Sequence, residues 1–576
     1  MVFLCFLLFL ILCIARLFYI QFFRSNYLTG IAKKQHNLFV ELEPRRGTVY
    51  DTNLKPQAFN ISADSLYAAP NEIPDKEKEK IIKLLMPVLG LERAYLKERL
   101  GRKKSFIWLA RKLTFAQSQK IKELDIKGLY LIKESKRCYP NNYLTSHIIG
   151  FAGMDNNGLE GIELFFDKYL RGSPGWALFL RDARQKKLDL WEKMVLPRDG
   201  YDIVLTIDEV IQYIAERELD AAFRKYNAKG ASIVVMDPFT GAILAMANRP
   251  TFDLNAYANA GKDRMRNRSI SDLFEPGSVF KIVTASAALE EGRVSEEDKF
   301  FCENGAYRVA SHTLHDHHAH GWLTFREVIE QSSNIGTVKV AQMLGPEIVY
   351  RYAKAFGFGA KSGVSLPGEI RGMLKDPRAW SKTSISAVPI GQEVGVTALQ
   401  LTAAISGIAN GGQLMRPYIL KEIRDKRGQT IKSFSPEAAG RIMSENTANR
   451  IKKILTGVVS SGTGKMAKLQ DFTAAGKTGT AQKVEPDGRY SRSKFIASFI
   501  GFAPADKPRL AIVVTVDEPH PYYFGGVVSA PVFKNVAGDV LRYLNAKSAP
   551  VPAVAQGNND MMGLTLAQLE NLGITD

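Results

Sequence analysis

The stretch EPGSVFKIVTASAALEEG, residues 275–292, decides the reading of the fold. Pro276 and Gly277 make a turn, Ser278 opens an apolar helix, and Gly292 closes it. Ser278 and Lys281 stand three residues apart and so share one helix face. A serine at a helix start sits beside free backbone N–H groups and the positive end of the helix dipole. That environment suits a nucleophile whose adduct develops an oxyanion. The lysine can act as its base once burial or a second cation lowers its pKa. Alone the pattern is weak: Ser491 to Lys494 also matches it, in a polar stretch that reads as a loop, and Ser278 by itself reads as an ordinary N-cap.

Two further elements give the first its meaning. In EQSSNIGTVKVAQMLG, residues 330–345, Thr324 and Glu327 cap a helix that stops near Ser332-Ser333-Asn334 before the next one begins. There Ser332 is placed to relay a proton and Asn334 to hold a substrate amide. The similar Ser444-Glu445-Asn446 reads instead as the start of a helix over 445–457. In AAGKTGTAQ, residues 474–482, Lys477-Thr478-Gly479-Thr480 puts a cation, a hydroxyl and a side-chain-free glycine on one strand. A substrate backbone can lie along such an edge with its carboxylate near Lys477.

Around these motifs the 576 residues divide into several units, too many for one core. The first 23 carry a single charge, Arg16, and as a helix span roughly 34 Å, enough for a bilayer's hydrocarbon core. They read as a membrane anchor over 1–23, not as a cleaved signal peptide, because no basic stretch precedes the apolar run. Residues 24–227 alternate strand-like runs with basic helices at 76–89 and 115–124, an α+β module. Thr206 and Glu209 fit a capping box for a helix that closes this unit. From 228 to 546, a hairpin over GASIVVMD and AILAMAN, strands at 495–503 and 509–517, and a helix at 530–544 predict an α/β domain with a central antiparallel sheet. Residues 547–576 form a Pro/Ala linker and a short tail.

The net charge of +18 splits evenly, 36 basic against 27 acidic residues in 1–227 and 41 against 32 in 228–576. No basic tail or stripe exists for nucleic acid to follow. Four cysteines without a C-x-x-C pair exclude a disulfide scaffold and a zinc knuckle. Five of the eight histidines fall in HTLHDHHAH at 312–320, which reads as a solvated polar hairpin, not as a metal centre.

Ser-x-x-Lys, Ser-x-Asn and Lys-Thr-Gly in this order, with 54 and then 145 residues between their first members, resemble the signature of penicillin-binding proteins and serine β-lactamases. CYPNNYLTSHIIGFAG, GLEGIE at 158–163, DPFTGAILAMANRPTFDLN at 237–255 and PIGQEVGVTALQL at 389–401 extend the resemblance to class B penicillin-binding proteins, most closely the cell-division (FtsI-like) type. The tail MMGLTLAQLENLGI resembles the opening of a PASTA module, too short to complete one.

The resemblance implies that 24–227 is an elongated pedestal of dimerisation type and that 228–546 is a β-lactamase-like transpeptidase domain without cofactor or metal. In it, Ser278 is acylated by the penultimate D-Ala of a stem pentapeptide or by a β-lactam, and Lys281 takes its proton. Ser332 relays protons, Asn334 orients the donor, and Lys477 with Thr478 holds the terminal carboxylate. Gly479 leaves room for the substrate backbone, and the N–H groups of Ser278 and Thr480 form the oxyanion hole. The implied setting is the bacterial inner membrane, with a single pass and the catalytic domain outside the cytoplasm, and with a membrane glycosyltransferase and divisome proteins as partners. Elongation-type crosslinking, D,D-carboxypeptidase action and β-lactam sensing are the alternatives that share these motifs.

Overall fold

The computed structural model describes residues 1–28, 37–181, 187–309 and 312–548; the expected tail beyond them lies outside the described residues. Val2–Phe23 is the one helix, among the described residues, long and apolar enough to cross a membrane.

The C-terminal half is built on five antiparallel strands. In chain order its main elements are α1 (Glu209–Lys225), β1 (Gly230–Met236), β2 (Ile243–Arg249), α2 (Lys281–Glu290), α3 (Asn334–Leu344) and α4 (Ala398–Ala409). They continue as α5 (Glu445–Ser460), β3 (Ala475–Val484), β4 (Tyr490–Ala503), β5 (Leu510–Asp517) and α6 (Ala530–Ser548). The strands lie in the order β2-β1-β5-β4-β3, so the strand carrying Lys-Thr-Gly is at an edge.

Strand alternation sends Val234, Met236, Ile500, Phe502 and Val513 to one face, where they pack with α2, α4 and α5. Ile233, Val235, Phe499, Ile512 and Val514 go to the other, against α1 and α6. All twelve residues of α4 are buried, which explains its apolar character all round. At about 1.5–3 kcal/mol for each large apolar side chain removed from water, α4 anchors this layer.

Helix α1, placed before the 227/228 boundary in the sequence reading, thus packs with the central sheet. Its N-cap also differs from the expected Thr206. The Asp208 carboxylate accepts from the N–H groups of Val210 and Ile211, while the Thr206 hydroxyl donates to the Ile243 carbonyl. An aspartate one residue before the helix reaches both free N–H groups, and that shifts the cap.

The preceding unit holds a seven-stranded sheet that recruits two strands from the other half of the chain. Leu420–Arg424 pairs antiparallel with Asp202–Leu205 and with Thr430–Ser433. Helices Asp75–Leu89, Arg93–Gly101 and Phe115–Leu124 bury Ile82, Leu85, Leu96 and Ile121 against Leu66 and Ile107. Deeper in this unit Glu163 is fully buried between two arginines. It accepts from Arg46 Nε and from Arg137 Nε, each at 2.6 Å, and Arg46 Nη1 also reaches Asp167 at 2.6 Å.

Candidate active site

Ser278 lies in a 3-10 turn, Gly277–Phe280, that runs directly into α2 at Lys281. Residues three apart nearly eclipse in such a turn, so the serine and the lysine share a side despite the change of helix type. The turn is packed tightly on β3. A Cβ at Gly479 would stand 2.8 Å from Val279 Cγ1, 3.1 Å from the Pro276 carbonyl and 2.3 Å from Ser498 Oγ. Glycine at 479 is therefore required by the close approach of the Gly277–Phe280 turn. Gly479→Ala should lower the rate of acylation by penicillin roughly ten- to hundredfold while leaving the fold intact, since overpacking costs about 1–3 kcal/mol. Stopped-flow acylation together with a thermal melt checks this, and unchanged acylation would contradict the close packing.

Lys281 is fully buried, and its ammonium donates to the Ser332 carbonyl (2.6 Å), Ser332 Oγ (3.2 Å) and Asn334 Oδ1 (2.8 Å). Lys477, equally buried, donates to the same Ser332 Oγ at 2.8 Å and to the Thr478 carbonyl at 3.2 Å. Ser332 serves both cations because its backbone is left-handed, φ +61°, which turns carbonyl and hydroxyl together into the cleft. Burial lowers the Lys281 pKa to about 7, against the opposing pull of Asp316 and Cys302. Burial, and then the charge of Lys281, push Lys477 well below its usual range.

The short helix Phe325–Glu330 starts on the expected Thr324–Glu327 capping box. Ser333 then caps α3 through the N–H of Gly336, and Asp316 adds a second cap that sequence reasoning missed. Its carboxylate accepts from the Asn334 N–H (2.5 Å), the Ile335 N–H (3.1 Å) and Ser333 Oγ (2.6 Å). The His-Asp-His run concealed this role, because Asp316 reaches α3 only through tertiary packing. Asn334, expected to hold a substrate amide, spends both ends of its own on the protein, accepting from Lys281 and donating from Nδ2 to the His315 carbonyl at 2.9 Å. Among the described residues no group of three or more His, Cys, Asp or Glu is arranged to hold a metal ion.

These elements enclose a cleft of about 340 Å³ lined by Ser278, Ser332, Thr478, Gly479 and Thr480, with Phe524 and His317 at its sides. Thr480 Oγ1 accepts from the Gly525 N–H at 3.1 Å, and the Thr478 and Thr463 hydroxyls lie 2.8 Å apart. Ser491 and Lys494 lie in β4, far along the strand from the converging motifs, and the expected loop there is strand.

A serine three residues before a buried lysine of lowered pKa, on a turn packed against an edge strand that carries a second lysine, is equipped for acyl transfer through a covalent serine ester. The penicillin binding protein transpeptidase domain matches residues 231–538, and the penicillin-binding protein dimerisation domain matches residues 41–205. The chain is 38% identical over 575 residues to Stage V sporulation protein D of Bacillus subtilis, covering 97% of this chain and 88% of that one. It is 32% identical over 548 residues to peptidoglycan D,D-transpeptidase FtsI of Escherichia coli, covering 94% and 91%. Penicillin binding protein 3 from Mycobacterium tuberculosis, solved with aztreonam, aligns at a TM-score of 0.69 and 29% identity over 89% of this chain and 98% of that one. The chain belongs to the class B penicillin-binding proteins, and has their two-domain architecture of dimerisation and transpeptidase units.

Proposed function

We propose that the chain is a peptidoglycan D,D-transpeptidase in which Ser278 is the nucleophile and Lys281 its base. The hydrogen bonds of Lys281 to Ser332 and Asn334, with Ser332 lining the same cleft as Ser278, Thr478, Gly479 and Thr480, carry this reading. The neutral Lys281 amine takes the Ser278 proton as Oγ attacks the carbonyl of the penultimate D-Ala. The proton passes to the departing terminal D-Ala, and an ester remains on Ser278. A second stem peptide's amine then displaces Ser278 and forms the crosslink. Ser332 passes protons between the two lysines, Asn334 holds Lys281 in line, and Lys477 with Thr478 receives the substrate carboxylate. Gly479 admits the substrate backbone, and the N–H groups of Ser278 and Thr480 receive the oxyanion. β-Lactams acylate the same serine, in keeping with the β-lactam complexes solved for the tuberculosis relative.

Only neutral Lys281 can accept the proton, and its pKa lies near about 7, so acylation should rise with pH and reach half its maximum near that value. Second-order acylation by a fluorescent penicillin, measured from pH 5.5 to 9, checks this; a flat profile would exclude Lys281 as the base.

The helix Val2–Phe23 is read as a single-pass anchor in the inner membrane, and the substrate places the catalytic domain outside the cytoplasm. We assign the enzyme to septal wall synthesis, beside a membrane glycosyltransferase and divisome proteins. The identity to a sporulation protein supports a second setting, the sporulation septum. Depletion separates these readings: filaments indicate division, spheres indicate elongation, and normal growth with defective spores indicates sporulation.

A further inference from the structure

His317 lines the cleft that holds Ser278, together with its neighbour His318. The backbone around it is tied to the catalytic wall from both sides. Asp316 is pinned to the start of α3, and the His315 carbonyl accepts from Asn334 Nδ2. The ring itself meets Phe524 edge-on, with centroids 5.7 Å apart, and the next residue, Gly525, donates to Thr480 Oγ1. His317 therefore lies between the Ser332–Asn334 wall, which holds its backbone neighbours, and Phe524, which meets its ring, on the cleft that Ser278 also lines.

The second half of the reaction needs a proton acceptor there. An attacking alkyl amine has a pKa of about 10.4 and must shed protons as its nitrogen bonds to carbon. The two buried lysines direct their N–H groups at Ser332, Asn334 and the Thr478 carbonyl. We propose that His317 accepts the proton of the incoming acceptor amine when the acyl-enzyme is resolved. This rests on the transpeptidase reading of Ser278. The free amine forms the C–N bond to the ester carbonyl, and its N–H proton passes to the imidazole. The C–O bond to Ser278 breaks, and Oγ takes one proton from Lys281, which has first drawn one from solvent after giving its own to the departed D-Ala. The imidazolium releases its proton to solvent, so the step neither gains nor loses one overall.

The surroundings favour the neutral, accepting ring. Burial lowers the His317 pKa, the charges of Lys281, His318 and Lys477 lower it further, and Asp316 opposes them. Lys465 adds a further cation on the cleft lining. Expressed per unit of free acceptor amine, aminolysis should therefore hold at neutral pH and fall only as acid protonates the ring, below the usual histidine value of about 6.5.

The test uses the full-length chain in detergent, a thioester donor ending in D-Ala, and D-alanine as acceptor amine. The measured quantity is the partition of the acyl-enzyme between aminolysis and hydrolysis from pH 5 to 9. In His317→Gln the partition should shift roughly ten- to hundredfold toward hydrolysis, the acid limb of aminolysis should vanish, and added imidazole should restore part of it. Partition and pH profile identical to wild type would overturn the proposal. So would acylation and aminolysis falling by one common factor without imidazole rescue, which is the signature of lost packing on Phe524. If the wild-type chain takes no label on Ser278 from the donor, the transpeptidase reading itself fails, and the missing label tells that failure apart.

Discussion

Ser278→Ala should abolish labelling by fluorescent penicillin and remove crosslinking activity by at least about a thousandfold, because no second nucleophile can take its place. Thr480 presents a hydroxyl in the same cleft but already accepts from Gly525. Ser332 is held by two lysines and turned by its left-handed backbone, so its oxygen serves them and not a substrate. The variant should fold, since Ser278 is only half-buried and its loss opens no core cavity. Gel labelling with an unchanged melting temperature is the measurement. Equal labelling of wild type and variant would move the nucleophile elsewhere, and a variant that still performs whichever function is lost on depletion would sink the enzyme reading.

The second large effect is on stability. Glu163→Ala should destabilise the N-terminal unit by roughly 3–5 kcal/mol, because two buried guanidinium groups lose their shared counter-charge. The cost spreads through the unit: Arg46 also holds the Asn156 carbonyl and Asp167, and Arg137 holds the Gly47 carbonyl and Asn60. In a unit of this size the melting point should fall roughly 10 °C or more. A triple variant, Arg46→Met with Arg137→Met and Glu163→Leu, should recover part of the loss, because it removes the three buried charges together and leaves Asp167 to Arg171 and the Gly158 N–H. A melting point unmoved in Glu163→Ala would show that water reaches and screens the pair.

The three motifs were legible in the sequence because each is a short, local run. Ser278 and Lys281 are three residues apart, and Lys-Thr-Gly-Thr is one strand. The β1–β2 hairpin, the helices at 76–89 and 115–124 and the cap at Thr324 were readable for the same reason: period and capping are short-range. Non-local features were hidden. The cap supplied by Asp316, the inward use of Asn334's amide and the meeting of two ammonium groups on one hydroxyl depend on chain segments far apart. Helix α1 looked like the end of one unit because its amphipathic pattern does not say which sheet it covers. Its cap fell on Asp208 because a carboxylate nearer the first turn outcompetes a threonine that has a carbonyl to bind.

The strand Leu420–Arg424 bears on how this molecule can be dissected. It threads from the catalytic half into the neighbouring sheet, between Asp202–Leu205 and Thr430–Ser433. A fragment trimmed to the matched span 231–538 would keep that strand with Thr430–Ser433 and lose its other partner, Asp202–Leu205. It would expose a row of unpaired N–H and C=O groups, a template for edge-to-edge aggregation. Soluble catalytic fragments should therefore begin before Asp202, and preferably before Val49, which pairs with Ile203 on its other side.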